Sequence, residues 1–289
     1  MTDSDSVKIE NISNDLTERN VKAFVTRDLD VKVFDEVTST NDLAKEASLR
    51  DGAFGKVSLC IVADMQTAGR GRLGRSFASP AGTGLYMSFA FEPRFDISGS
   101  LFVTMAAAVG TIAAIKKVTG EDAGIKWVND LYIGGKKVCG ILTEEVAAQG
   151  ARESGRPDAR ERLVVGIGVN CFPGSFPPEI KDIAGPISKD AGSFSRAELA
   201  GEMINEVLPL IEDPEGSGFM AEYRKNCFIL GKHIKVHRSY NDEGVYAEAV
   251  DITADGGLLV RYEADAAGDT KKAGTEEVLH TGEISIEVR

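Results

Sequence analysis

The 289-residue chain is poor in the residues that most often carry metal and redox chemistry: four cysteines, three histidines and one tryptophan. Cys60, Cys139, Cys171 and Cys227 are scattered and form no Cys-x-x-Cys pair, so buried free thiols in a reducing cytosol are expected rather than disulfides, a redox motif or a nucleophile. His233 and His237 share one face of an expected strand without a third ligand nearby, which reads as structural or exposed histidine rather than a metal pair. Long apolar runs are also missing. The longest, 101–115, is too short for a membrane span, is interrupted by Thr104, Gly110 and Thr111, and reads as a buried helix. The first residues, Met1-Thr2-Asp3-Ser4-Asp5-Ser6, fit neither a secretory signal nor a mitochondrial transit peptide. Positive charge is in deficit, with 33 Lys and Arg against 45 Asp and Glu and a net charge of −12. That balance argues against a general nucleic-acid or anionic-membrane binder.

Against this acidic background one basic stretch stands out: Gln66-Thr67-Ala68-Gly69-Arg70-Gly71-Arg72-Leu73-Gly74-Arg75. Glycines let backbone approach a ligand closely, and arginines bring permanent charge and forked donors matched to phosphate or carboxylate. The stretch reads as a loop that closes over an anion. The competing reading is an RG-type RNA-binding segment. Such segments repeat among polar residues, whereas this one occurs once, between apolar 59–63 and the alternating run 85–91.

The length allows one large domain and a small one. Residues 1–30 are polar and read as a flexible segment. Alternation predicts strands over 31–36 and 84–92, the latter with Leu85, Met87, Phe89 and Phe91 on one face. A helix is expected from Ser39 to about residue 50, with Ser39 as cap and Asp42 three residues on. Residues 57–63 read as a buried strand and 101–118 as the long helix. Strands over 125–133 and 136–146 flank Gly134-Gly135, a two-residue hairpin signal. A strand over 162–170 follows a polar loop, 149–161, and precedes an irregular connection, 171–194. Helices are expected over 195–211 and 218–228. Beyond Gly231 short strands and turns follow closely, as in a small barrel. The expected division is 1–30, a core over 31–230 and a terminal domain over 231–289. The fold class is α/β (α+β), a mixed sheet backed by helices.

Four further segments fall at strand ends or turns. Ser39-Thr40-Asn41 opens a helix, where hydroxyls and free amides bind polar groups or anions, or simply cap. In Lys126-Trp127-Val128-Asn129-Asp130, three polar residues interrupt an apolar strand, which requires partners or an exposed face. In 136–142, Lys136 and Lys137 lead into a buried strand, as a ligand site or a charged turn. The small residues of Gly166-Ile167-Gly168-Val169-Asn170 allow close approach of a ligand or of another backbone.

Taken in order, Ser39-Thr40-Asn41, Gln66 to Arg75, Lys126-Trp127-x-Asn129-Asp130, Lys137-x-x-Gly140-Ile141-Leu142 and Gly168-x-Asn170 resemble the catalytic core of the biotin–protein ligases, or holocarboxylase synthetases. The resemblance runs from about residue 31 to the C-terminus, where Gly282-Glu283-Ile284-Ser285 resembles the family's closing strand. It implies a class II synthetase-like core with a small SH3-like barrel. It also implies a two-step reaction: biotin and ATP give biotinoyl-5′-AMP, and the acyl group then passes to a lysine of a carboxylase carrier domain. No side-chain nucleophile is needed, in keeping with the absence of a Ser–His or Cys–His arrangement.

By the same resemblance Lys137, Arg70, Arg72 and Arg75 are catalytic. Ser39, Thr40, Asn41, Gln66, Gly69, Arg70, Arg72, Trp127, Lys137, Gly140, Leu142 and Gly166 bind biotin. Arg72, Arg75, Phe77, Lys126, Asn129, Lys137 and Asn170 serve ATP or the adenylate, and Asp130 helps place Mg²⁺ on the phosphates. Biotin, ATP and the carrier domain are the implied partners, with neither nucleic acid nor membrane, in the cytoplasm, and a homodimer as an option. Two positions depart from the family: Val128 stands where proline is common, and Phe77 where an indole is common. The N-terminal segment is too short for the DNA-binding domain of the bifunctional members. A lipoate or octanoate ligase or transferase of the same fold is the alternative, followed by an RG-loop RNA-binding protein.

Overall fold

The computed structural model describes residues 15–50, 57, 59–95, 100–146, 162–174, 176–237, 243–263, 273–280 and 283–286. The expected loop over 149–161 lies outside the described residues. A seven-stranded sheet is built from β1 (Asp30–Val37), β2 (Leu59–Gln66), β3 (Gly84–Phe91), β4 (Gly124–Lys126), β5 (Asp130–Ile133), β6 (Lys136–Val146) and β7 (Arg162–Asn170), in the order β1-β2-β3-β7-β6-β5-β4. Only β1 and β2 pair in parallel, because the helix between them, α2 (Thr40–Arg50), supplies the crossover that a parallel pair needs.

The period-two alternation assigns the faces. On β3, Leu85, Met87, Phe89 and Phe91 face the main core, together with Leu163, Val165, Ile167 and Val169 of β7 and Cys139 and Ile141 of β6. That core is covered by α3 (Ser100–Thr119) and α4 (Arg196–Glu212). A Cβ on Gly110 would lie 2.7 Å from the Val207 Cα, so the two helices cross at backbone contact. On the opposite face, Ala44 of α2 packs on Ile61 and Val164, and the intervening residues Gly140, Leu142, Gly166, Gly168 and Asn170 line a cavity.

Three expectations change. The helix read over 101–118 spans 20 residues and is long and apolar enough to cross a membrane by length and composition; here Val103 through Thr111 are buried without a gap. The single strand read over 125–133 is two, β4 and β5, paired antiparallel with Lys126 opposite Asp130. Lys126, Asn129 and Asp130 are polar because the chain turns there. The segment read as flexible carries structure from Asp15 onward. A short helix α1 (Glu18–Lys22), capped by Thr17, buries Val21, and the Asp15 carboxylate accepts from the Arg196 amide at 2.7 Å at the start of α4. Gly134 and Gly135 both have positive φ, 57° and 79°, as the hairpin reading requires.

After α5 (Met220–Asn226) the chain forms a five-stranded antiparallel sheet from β8 (His233–His237), β9 (Val245–Ile252), β10 (Leu258–Tyr262), β11 (Glu276–Leu279) and β12 (Glu283–Ile286), ordered β11-β10-β9-β8-β12. Its buried residues, among them Ile234, Ala249, Ile252 and Val260, are continuous with the core of the larger sheet. The indole Nε1 of Trp127 donates to the Gly256 carbonyl at 3.1 Å, and Arg224 donates to the Ile252 carbonyl at 2.7 Å.

Candidate active site

The chain turns and strand ends converge on a cavity of about 280 Å³ on the α2 side of the large sheet. It is lined by residues of all five sequence segments singled out above. Ser39, Thr40, Asn41, Gln66, Arg70, Arg72, Arg75, Phe77, Lys126, Trp127, Asn129, Asp130, Lys137, Gly140, Leu142, Gly166 and Asn170 all face it. Gly69 does not. It is buried behind the wall, where a Cβ would lie 2.5 Å from the Phe77 carbonyl oxygen and 2.6 Å from the Ser79 hydroxyl. Its role in the geometry is to let the loop close on itself.

One end of the cavity is a chain of neutral polar groups. The Gln66 Oε1 accepts from the Thr40 amide at 2.9 Å and lies 3.1 Å from the Thr40 hydroxyl, so Gln66, rather than Ser39 with Asp42, satisfies the start of α2. The fully buried Ser88 hydroxyl stands 2.7 Å from Thr40 Oγ1 and 2.6 Å from Asn41 Oδ1. Gly166 is required there because a Cβ would meet Asn41 Oδ1 at 2.1 Å; its missing side chain makes room for Asn41. Ser88 was missed in sequence, though a hydroxyl inside an apolar strand was the signal.

The other end is charged. Lys137 Nζ pairs with Asp130 Oδ1 at 2.6 Å across β5 and β6. Arg72 donates to Asn129 Oδ1 at 3.2 Å, and Asn129 is held by donating to the Ile141 carbonyl at 2.9 Å. Besides Arg70, which pairs with Asp42 and Glu144 outside the lining, four cationic side chains, Arg72, Arg75, Lys126 and Lys137, line the cavity against one carboxylate among the described residues, Asp130. On a chain of net charge −12, this is a local concentration of positive charge suited to anions. Between the two ends the Phe77 ring lies over the cross-strand pair Gly140 and Gly168, 3.0 and 2.6 Å from where their Cβ atoms would be, and edge-on to Tyr86 at 6.4 Å. Gly140 and Gly168 thus admit a side chain of the protein itself.

The segment 176–184 was read only as irregular, yet Phe176, Ile180, Ile183 and Ala184 form one rim of the cavity. Backbone hydrogen bonds dock it, Lys137 N to the Ile183 carbonyl at 2.8 Å and Gly185 N to the Lys137 carbonyl at 3.0 Å. Asn170 reaches the same carbonyl with Nδ2 at 3.4 Å. All four cysteines are buried and free, and burial raises their thiol pKa values, to about 12 for Cys171, so none is poised as a thiolate.

Residues 33–154 match the biotin/lipoate A/B protein ligase family, and residues 229–286 match the biotin protein ligase C-terminal domain. The bifunctional ligase/repressor BirA of Bacillus subtilis is 38% identical over 180 residues, 62% of this chain and 51% of that protein; the chain spans about half the length of the Bacillus relatives it matches. The biotin–[acetyl-CoA-carboxylase] ligase of Mycobacterium tuberculosis is 26% identical over 262 residues, covering 88% of this chain and 89% of that one. The structure of biotin protein ligase from Aquifex aeolicus in complex with biotin and ATP superposes with a TM-score of 0.66 at 27% identity, over 89% of this chain and 98% of that one. With both family regions present and the ordered segments assembled around one cavity, the chain belongs to the biotin/lipoate A/B protein ligase family.

Proposed function

We propose that this chain is a biotin–protein ligase that activates biotin with ATP and passes the acyl group to a lysine of a carboxylase carrier domain. The observation that carries the reading is the two-ended cavity: a neutral hydrogen-bonding floor at Thr40, Asn41 and Gln66, backed by the buried Ser88, and a cationic end at Arg72, Arg75, Lys126 and Lys137. A cyclic ureido head with a carboxylate tail matches such a site at both ends.

In the first step a biotin carboxylate oxygen forms a bond to the α-phosphorus of ATP, and the bond to the bridging oxygen breaks to release pyrophosphate. Two anions must approach each other. Lys137, with Arg72 and Arg75, offsets their repulsion where charge concentrates in the transition state. Asp130 holds Lys137 toward the cavity before substrate arrives. Asn129, Asn170 and Phe77 lie at the side where the adenosine would rest. In the second step an acceptor lysine amine attacks the acyl carbon, the acyl–phosphate bond breaks, and AMP leaves. Closure of 66–79 keeps water from the mixed anhydride in between.

Asp130 fits a magnesium ion held mostly by phosphate and water, since it is the one carboxylate in the cavity wall among the described residues. Bound there, the ion would neutralise phosphate oxygens. The catalytic unit is assigned to 31–230 and the terminal unit to 231–289. The reading is tested by ATP–pyrophosphate exchange with biotin or lipoate as the acid. Exchange that depends on biotin supports it; exchange with lipoate alone, or with neither, overturns it.

A further inference from the structure

Arg70 sits in the middle of the Gly/Arg loop, but its charge is already answered. Its NH1 donates to Asp42 Oδ2 at 3.1 Å, and its NH2 to Asp42 Oδ1 at 2.5 Å and to Glu144 Oε2 at 3.3 Å. Glu144 was not among the residues singled out by sequence. It stands on β6 two residues beyond Leu142, on the same face as Gly140 and Leu142. It also accepts from Asn41 Nδ2 at 2.6 Å and from Lys45 Nζ at 2.7 Å. One half-buried carboxylate therefore joins three pieces of chain: the loop, the first turn of α2 and β6.

We infer that Glu144 and Asp42 form a clasp for the Gly/Arg loop, and that Arg70 is a positioning residue rather than a ligand of the substrate anion. This deepens the ligase reading and rests on it only for the substrate measured below. A substrate anion at Arg70 would stand beside two carboxylates already in contact with it, which disfavours direct binding. The loop is also tied at its base, where Gln66 Nε2 donates to Ser79 Oγ at 2.9 Å, and beyond Arg70, where Arg72 donates to Asn129 Oδ1 at 3.2 Å. Its tip is bare: Leu73 has φ 56° and is 68% exposed. The clasp is the tie that fastens the loop to α2 and β6 through carboxylates. Through Asn41 it also continues into the floor, by Ser88 to Thr40 and Gln66. Loop closure and the order of the floor are in this way one network, and such networks couple when probed in pairs.

The test uses the full chain with Glu144→Gln, which keeps the shape and removes the charge. Two rates are read: trypsin cleavage at Arg72 and Arg75 without ligand, and release of radiolabelled biotin. The clasp predicts that both rise about tenfold, the factor that about 1.4 kcal/mol corresponds to, and that Arg70→Gln combined with Glu144→Gln is no worse than the more damaging of the two alone. Direct service of Arg70 to the substrate predicts the opposite for Glu144→Gln, since a guanidinium freed from a carboxylate would hold the anion longer. Unchanged rates, slower release, or additive effects overturn the clasp. Should Glu144→Gln fail to fold, Asp42→Asn, on the exposed side of the same pair, carries the same prediction. If the parent protein binds no biotin, the ligase reading fails, and the cleavage rate without ligand still decides the clasp.

Discussion

A single methyl group added at Gly168 is expected to disable the cavity while leaving the fold standing. The position is opposite Gly140 on β6 and opposite Tyr86 on β3. A Cβ there would lie 2.6 Å from Phe77 Cε1 and 2.9 Å from Cζ. Ordinary contact begins near 3.4 Å, so the ring must retreat by about 0.8 Å. Tyr86, buried and edge-on, closes the retreat on the sheet side, which leaves only the cavity. Overpacking a rigid core costs about 1–3 kcal/mol, and a loop-borne ring that can move puts the stability loss near the low end, about 1 kcal/mol. The displaced ring takes volume from a cavity of about 280 Å³, so biotin and ATP should bind about ten- to hundredfold more weakly. Gly140→Ala is the graded control. Its Cβ would meet the same ring at 3.0 Å, and its effect should be smaller. Trp127, the one tryptophan of the chain, lines the cavity, and its emission gives both affinities, with denaturant midpoints giving stability. Parent-like affinity in Gly168→Ala, or a larger effect in Gly140→Ala, would refute the reasoning that the two glycines exist to seat Phe77.

Lys137→Ala should lower biotin-dependent pyrophosphate exchange about a hundredfold or more, with a near-parent denaturant midpoint, because the side chain is only half-buried; near-normal exchange removes Lys137 from the first step. Truncation after Leu230 should give insoluble protein, since the turn at Gly256 packs on Met105 and Leu101 and accepts from Trp127; a soluble core that binds biotin would show the terminal unit to be separable. Asp255 is held down to about 2 by hydrogen bonds from Thr253 and then His280. A carboxylate with a depressed folded pKa contributes stability that is present above its ordinary value near 3.8 and lost as pH falls through about 2. The midpoint difference between the parent and Asp255→Asn should therefore be full at pH 5 and shrink between about 4 and 2, and a constant difference across that range would contradict it.

Much of this architecture is legible in the residues, and the exceptions share a cause. The alternation in β3 is legible because its Leu85, Met87, Phe89 and Phe91 face the core, and the segments predicted over 136–146 and 162–170 match the observed strands. Helix α1 is five residues long and capped by Thr17; a helix that short has too little periodicity to be read from sequence, and it is held by packing of Val21 against α4. The break between β4 and β5 was hidden because the polar residues that make the turn also looked like polar interruptions of one strand. Gly166 and Gly168 were read as marking close approach, and the close approach is real, but the occupants are Asn41 and Phe77. Segment 176–184 carries no periodicity because its place is set by backbone hydrogen bonds to Lys137. Glu144 could have been found by counting in twos from Gly140 along β6; its partners, on α2 and the loop, could not.

The central claim, that this cavity makes an activated biotin and hands it to a protein, is tested most directly by the intact mass of a purified carboxylase carrier domain. The domain is incubated with this protein, biotin and MgATP, with lipoate in a parallel sample. The account predicts one mass increase equal to biotin minus water, on a single lysine, dependent on ATP. No increase with biotin, or an increase with lipoate in its place, would contradict it.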